Sequence, residues 1–219
     1  MSRLEDQVRA AEEEFLKLFV RGPADDRWRE VPPQVGDPAP DLPLVDSTGA
    51  ERSLGELWSD GPALVLFWRH YACSCGAERT ARLRDEIARY RDAGARVAIV
   101  GQAEPERSAA WAHDQGIDCE ILCNPDYSAY NAYGLHEGQV AQILYDAPEN
   151  FWGHSREVGE ELAKGRREAG RPLVDNPWLL PGEFVVDSGG VIRLAYRYQY
   201  CEDFPDPRVL TTAIRLASS

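Results

Sequence analysis

The sequence predicts an α/β fold: a central mixed β-sheet flanked by helices, with a helical extension at the N-terminus and a helical insertion before the last hairpin. Three observations predict it. "ALVLFWR" (63–69), "ARVAIVG" (95–101) and "DCEILCN" (118–124) are short, mostly apolar runs, the pattern of strands buried on both faces. Helical segments separate them, and strand–helix–strand order implies parallel strands joined by right-handed crossovers. "EFVVDSGGVIRLAYRYQY" (183–200) then reads as two strands joined through Asp187-Ser188-Gly189-Gly190, a hairpin signal.

The elements follow in order. Residues 3–20 form an amphipathic helix whose apolar side holds Leu4, Val8, Phe15, Leu16, Leu18, Phe19 and Val20. That face is buried either on the chain's own core or in a homodimer. "RGPADD" stops the helix, and the Pro- and Asp-bearing stretch 22–41 is a linker or wrapping arm. Residues 1–34 thus form a helix and arm, and 35–219 the main domain. Within "DLPLVDSTGAERSLGEL" (41–57) lie a short strand, a turn at Ser47-Thr48-Gly49 and a short helix capped by Ser53. After strand 63–69, residues 76–94 read as a helix with Ala77, Thr80, Leu83, Ile87 and Tyr90 on one face and Gly94 at its end. Pro105 opens and Gly116 closes the next helix, and residues 126–135 hold a short one. The insertion 136–180 breaks the rhythm and carries one helix at 155–167. A last helix spans 206–217.

Composition bounds the function. The chain has 219 residues, 24 Lys+Arg against 37 Asp+Glu, and a net charge of −13. Phosphates repel so acidic a surface, which argues against a general nucleic-acid or anionic-membrane binder. No apolar run approaches the ~20 residues that span a bilayer. The start, "MSRLEDQVRAAEEEF", is acidic and lacks a signal-peptide core, so a cytoplasmic location is the expectation. Five cysteines are too few for a disulfide scaffold. Their odd number in a reducing compartment points to free thiols or a reactive centre.

Two of the five sit in "FWRHYACSCGAER" (67–79). Ligands of open α/β sheets bind beyond the carboxyl ends of the strands, and this loop lies there, just before a helix. The unpaired N–H groups and dipole of a helix start favour a thiolate at Cys73 or Cys75. Arg69 and Arg79 add positive charge. A thiol so placed titrates below its ordinary value of about 8.5 and becomes a nucleophile. Its neighbour is close enough to trap a sulfenic acid as a disulfide. That disulfide closes a small strained ring, which favours its reduction. Two alternatives stand beside this redox reading: a soft-metal site for Cu(I) on both thiolates, and two inert buried thiols. Cys119 and Cys123 read as core, too far apart along one strand to pair, with Cys123, at the strand's end on the active edge, a minor candidate. Cys201 is a minor candidate for a distal resolving thiol.

The motifs "VGDPAPDLPLVDSTGAERSLGEL", "ALVLFWRHYACSCGAE", "ILCNPDYSAYNAYGL" and "PGEFVVDSGGVIRLAY" resemble the thioredoxin-fold superfamily. Within it they are similar to the peroxiredoxin-like alkyl hydroperoxide reductase/thiol-specific antioxidant branch, and most to atypical members with an F-x-R-H-x-x-C-x-x-C motif. The resemblance covers 35–217. It implies a thioredoxin-like fold and a thiol that reduces a peroxide or exchanges disulfides, with no metal or organic cofactor. It also implies a thiol reductant, thioredoxin-like or of low molecular weight, and a cis-proline at Pro181 facing the redox cysteine. The chain departs from the family pattern. Against the F-x-R-H motif Cys73 fills the first cysteine and Gly76 replaces the second. Against the F-W-x-x-W-C-x-x-C of thioredoxin-like reductases Cys75 fills the second and Ala72 replaces the first. The Pro-x-x-x-Thr-x-x-Cys signature is absent, with Leu66 and His70 at its Pro and Thr positions. The expected roles are Cys73 as nucleophile, Cys75 as resolving thiol, Arg69 as thiolate stabiliser and His70 as proton shuttle. Pro181, Trp68 and Tyr71 are the candidate substrate contacts. A third reading is a thioredoxin-fold domain recruited to a specialised biosynthetic reaction, the 136–180 insertion shaping its pocket.

Overall fold

A computed structural model describes residues 2–25, 28 and 30–218; residues 26, 27 and 29 of the predicted linker lie outside the described residues. Helix α1 (Arg3–Arg21) is followed by β1 (Pro43–Asp46), β2 (Glu51–Ser53) and β3 (Ala63–Phe67). Then come α2 (Ser74–Asp92), β4 (Arg96–Gly101), α3 (Pro105–Gln115), β5 (Glu120–Cys123) and α4 (Ser128–Ala132). The insertion holds α5 (Val140–Ile143) and α6 (Arg156–Glu168). A hairpin of β6 (Gly182–Val186) and β7 (Ile192–Arg197) and then α7 (Pro207–Ala217) complete the chain. The strands form one mixed sheet in the order β2-β1-β5-β4-β3-β6-β7. As predicted, β3, β4 and β5 are parallel neighbours; β1 and β6 flank them antiparallel.

Side chains alternate across a strand, and β3 shows it. Leu64 and Leu66 enter a core with Leu83, Ile87 and Tyr90 of α2 and Leu210 and Ile214 of α7. Ala63, Val65 and Phe67 enter the opposite core with Leu54, Leu57, Tyr130 and Tyr133. Burial on both faces is why the strand has no polar position. The hairpin forms through the predicted turn: Asp187 Oδ1 accepts from the N–H groups of Gly189 and Val191, each at 2.9 Å, and Gly190 takes φ +75°, a region glycine enters without steric cost.

A third core joins α1 to the insertion. Phe15, Leu16 and Phe19 pack with Ile143, Val158, Ala163 and Trp178. The Phe19 and Trp178 rings stack at 5.5 Å, and Trp178 Nε1 donates to Leu18 O at 2.7 Å. The helix therefore buries its central apolar residues within its own chain. Val20, expected on that side, is 43% exposed, because it falls off the Phe15–Phe19 stripe.

Candidate active site

Strand β3 delivers the chain to the sheet's carboxyl edge at Phe67, and Trp68 N still donates to Val100 O at 2.8 Å. The loop then turns into α2 two residues earlier than the sequence predicts. Cys73 becomes the N-cap residue and Cys75 lies in the first turn. No side chain caps this helix start, so the N–H groups behind the cysteines keep their positive character for the sulfurs. Cys73 and Cys75 form a disulfide with Cα atoms 5.3 Å apart. Both are buried, at 4% and 2% exposure, while Ser74 between them is exposed.

Arg69, itself 6% exposed, holds both sulfurs. Its Nη1 donates to Cys73 Sγ and, at 3.6 Å, to Cys75 Sγ; Nη2 donates to the carbonyl of Pro177 in the insertion. The guanidinium thus spends its donors on sulfur and a carbonyl rather than on a carboxylate. Burial pulls its pKa down, and the neighbouring Cys201 and Glu202 oppose that fall. Arg79 does not share the task expected of it. It pairs with Glu183 at 2.8 Å and Glu86 at 2.7 Å, and Tyr198 donates to the same Glu183. Its charge is neutralised beneath the site.

His70 corrects another expectation. Its ring is fully buried, packs edge-on against Phe15 at 6.2 Å, and has no hydrogen-bond partner on either nitrogen. Burial first, then the positive charges of Arg166, Arg69 and Arg171, hold its pKa well below 6.5. In this arrangement it reaches neither sulfur nor solvent, as a proton shuttle must. Trp68 and Tyr71 pack around Trp111, at 5.2 and 4.3 Å, in the sheet core. Trp68 also borders the small void beside Cys75. Tyr71 instead borders a groove with Leu4, Val8 and Leu173 whose lining includes neither cysteine. Pro181 does lie beside the pair: it lines that void of about 20 Å³ with Cys75, Gly76 and Cys201. The peptide before it is trans, since no described peptide bond is cis; the trans form is the one an X-Pro bond prefers by default.

Cys201 gains in standing. It clusters with Cys73 and Cys75 under Phe204, its Sγ 3.6 Å from Ile143 O. Burial raises its pKa and Arg69 counteracts part of that. Cys119 and Cys123 stay apart from the site, and burial pushes their thiols up to about 12 and about 11. Sequence reasoning missed Glu183. The signal was present: an acid within the apolar run of β6, where only a buried cation makes it tolerable. Among the described residues, no group of three or more His, Cys, Asp or Glu side chains is arranged to hold a metal ion, and no helix is long and apolar enough to cross a membrane.

A model of the AhpC/TSA family matches residues 35–195. The chain belongs to the AhpC/TSA family. Among family relatives, it is 26% identical over 168 residues to mouse "Peroxiredoxin-like 2C", covering 72% of this chain and 70% of that protein. It is 23% identical over 95 residues to the Arabidopsis thaliana "Thioredoxin-like protein AAED1, chloroplastic", covering 43% of this chain and 38% of that one. Solved structures show the same thioredoxin-like fold. Peroxidoxin BcpB of Mycobacterium tuberculosis superposes with TM-score 0.59 at 17% identity, over 85% of this chain and 99% of that one. PrxQ of Xylella fastidiosa does so with TM-score 0.61 at 10% identity, over 87% and 100%. Membership in the AhpC/TSA family supports thiol oxidoreductase chemistry for this atypical, peroxiredoxin-like chain.

Proposed function

We propose that the protein is a cysteine-dependent thiol oxidoreductase in which Cys73 is the nucleophile and Cys75 the resolving thiol. The observation that carries this reading is the Cys73–Cys75 disulfide at an uncapped helix start, with a buried, carboxylate-free arginine on both sulfurs. Arg69 contacts Cys73 more closely than Cys75, so the cation favours the thiolate that attacks.

With a peroxide, the Cys73 thiolate attacks one oxygen, the O–O bond breaks, and the alcohol or water leaves with a proton. The Cys73 sulfenic acid then condenses with the Cys75 thiol, releasing water and forming the disulfide. With a disulfide substrate, Cys73 forms a mixed disulfide and expels one thiol; Cys75 attacks it and expels the second. Either way the pair gives up two electrons. A thiol reductant, thioredoxin-like or of low molecular weight, returns them.

The test is intact-mass analysis of the reduced protein after one equivalent of hydrogen peroxide or of a small disulfide. The expected product has lost two hydrogens, mapped to Cys73 and Cys75, and Cys73→Ser abolishes turnover. A chain whose two thiols stay reduced under both oxidants, or a Cys73→Ser variant of full activity, overturns the proposal.

A further inference from the structure

Helix α6 ends in a group of basic residues that are treated unequally. Lys164 has Glu168 at 3.7 Å, and Arg167 pairs with Glu12 of α1. Arg166 and Arg171 form no ion pair among the described residues. Arg166 lays its guanidinium carbon 4.8 Å above the Phe15 ring, and its buried Nη1 has no hydrogen-bond partner. Arg171 reaches the cysteine loop, where Nη1 donates to Ala72 O at 3.3 Å. Both arginines line one cavity of about 470 Å³. Its other wall is made by Ala72 and Ser74, the two residues that flank Cys73.

The same loop holds a further buried donor without a partner, Arg69 Nε, and neither ring nitrogen of the neutral His70 has a partner. The positive groups lie close enough to oppose one another: burial first, then Arg69 and Arg171, bring Arg166 down to about 9. Clustering unpaired, partly desolvated cations is costly, and a protein ordinarily relieves it with a carboxylate. This chain has 37 acidic residues to spend. Glu161 and Glu168 even border the cavity, yet neither pairs with Arg166 or Arg171. The cavity therefore presents unpaired guanidinium groups, with room for a carboxylate, against the Ala72 and Ser74 wall.

We propose that this cavity binds a carboxylate of the substrate through Arg166 and Arg171, so that the physiological oxidant of Cys73 is a peroxide or disulfide bearing an organic acid. The inference rests on the thiol reading of Cys73 and adds the substrate class to it. Guanidinium groups suit the task because their planar forks bind carboxylates with two parallel hydrogen bonds. The Arg166 guanidinium lies over the Phe15 ring, and the cavity reaches the reacting loop through Ala72 and Ser74, the chain neighbours of Cys73, while its lining includes neither cysteine.

The experiment compares two reagents on the reduced protein: the dianionic disulfide dithiobis(nitrobenzoate) and the uncharged dithiodipyridine. In each case the Cys73 thiolate attacks one sulfur, a mixed disulfide forms, and one aromatic thiolate or thione leaves to be read by absorbance. Rates of the double variant Cys73→Ser/Cys75→Ser are subtracted to remove the other thiols. Ionic strength is held at about 0.15 M, which screens long-range attraction. The readout is the ratio of the anionic to the neutral rate constant, which cancels changes in the reactivity of the thiol itself.

Arg166→Gln and Arg171→Gln are each expected to lower that ratio roughly tenfold, the factor lost with one charge-assisted hydrogen bond of about 1.4 kcal/mol. Arg166→Lys, which keeps the charge but loses the planar fork and guards against a folding artefact, gives a ratio between those of Arg166→Gln and the parent. An unchanged ratio in both Gln variants overturns the carboxylate site while leaving the thiol chemistry intact. A parent protein that reacts with neither reagent faster than the double cysteine variant overturns the thiol reading itself, and the site with it.

Discussion

Replacing Arg69 by methionine keeps an unbranched apolar stem and removes the one cation that touches both sulfurs. Arg69 is 6% exposed and hydrogen-bonds to no carboxylate, so solvent screens its attraction for a Cys73 thiolate little, and Glu202 offsets only part of its charge. A hydrogen bond to a charged group is worth about 1.5–3 kcal/mol, which corresponds to a ten- to about 150-fold smaller thiolate population at neutral pH. The thiolates that remain are more basic and more nucleophilic, with a Brønsted slope of about 0.4–0.5 that removes nearly half of the logarithmic effect. The net expectation is a rate about four- to fifteenfold lower at pH 7. The assay is alkylation of the reduced protein by iodoacetamide, an uncharged reagent, followed by mass mapping of Cys73. The sign reverses at high pH. Once both proteins are fully ionised, Arg69→Met reacts faster, because its thiolate is the more basic. Arg69→Lys lies between the two. Equal rates for parent and Arg69→Met across the pH range would refute the argument that Arg69 sets the reactivity of the pair.

Two further predictions concern the supports of the site. Arg79 and Glu183 are 4% and 2% exposed and form a buried pair, so Arg79→Leu leaves an uncompensated carboxylate and costs about 3–5 kcal/mol in urea denaturation. Adding Glu183→Leu recovers a substantial part of that loss; strictly additive single-variant costs would show that the two do not act as a pair. His70 is held neutral in the folded protein and takes a proton more readily once unfolded. The native state therefore loses stability as pH falls through the unfolded histidine value of about 6.5. His70→Leu should reduce the drop in Tm between about pH 7.5 and about pH 5, and an identical drop in parent and variant would remove His70 as its source.

Much of the fold was legible because its signals are local. An apolar run such as 63–67 has no polar position to offer solvent, so it falls in the middle of a covered sheet wherever it occurs. Gly116 and the Asp187–Gly190 turn announce themselves through backbone conformations that few residues adopt. Helix α2 starts two residues before its sequence signals because the cysteines disguise it: neither Cys73 nor Ser74 supplies the capping bond that usually marks a helix start.

The site divides along the same line. That Cys73 and Cys75 stand at a strand end, on a helix start, follows from the sequence alone, since both conditions lie within ten residues of each other along the chain. Which charges face them does not follow. Arg69 and Arg79 look alike in sequence, and only packing decides that one turns to sulfur while Glu183, 104 residues further on, claims the other. The same holds for His70, which α1 covers with Phe15, for Cys201, which the end of the hairpin brings to the disulfide, and for Arg166 and Arg171, which the insertion lays against Ala72 and Ser74. Periodicity and turn chemistry are written over a few neighbouring residues. Electrostatic partnership depends on which distant segments share a buried volume, and only the packed chain determines that.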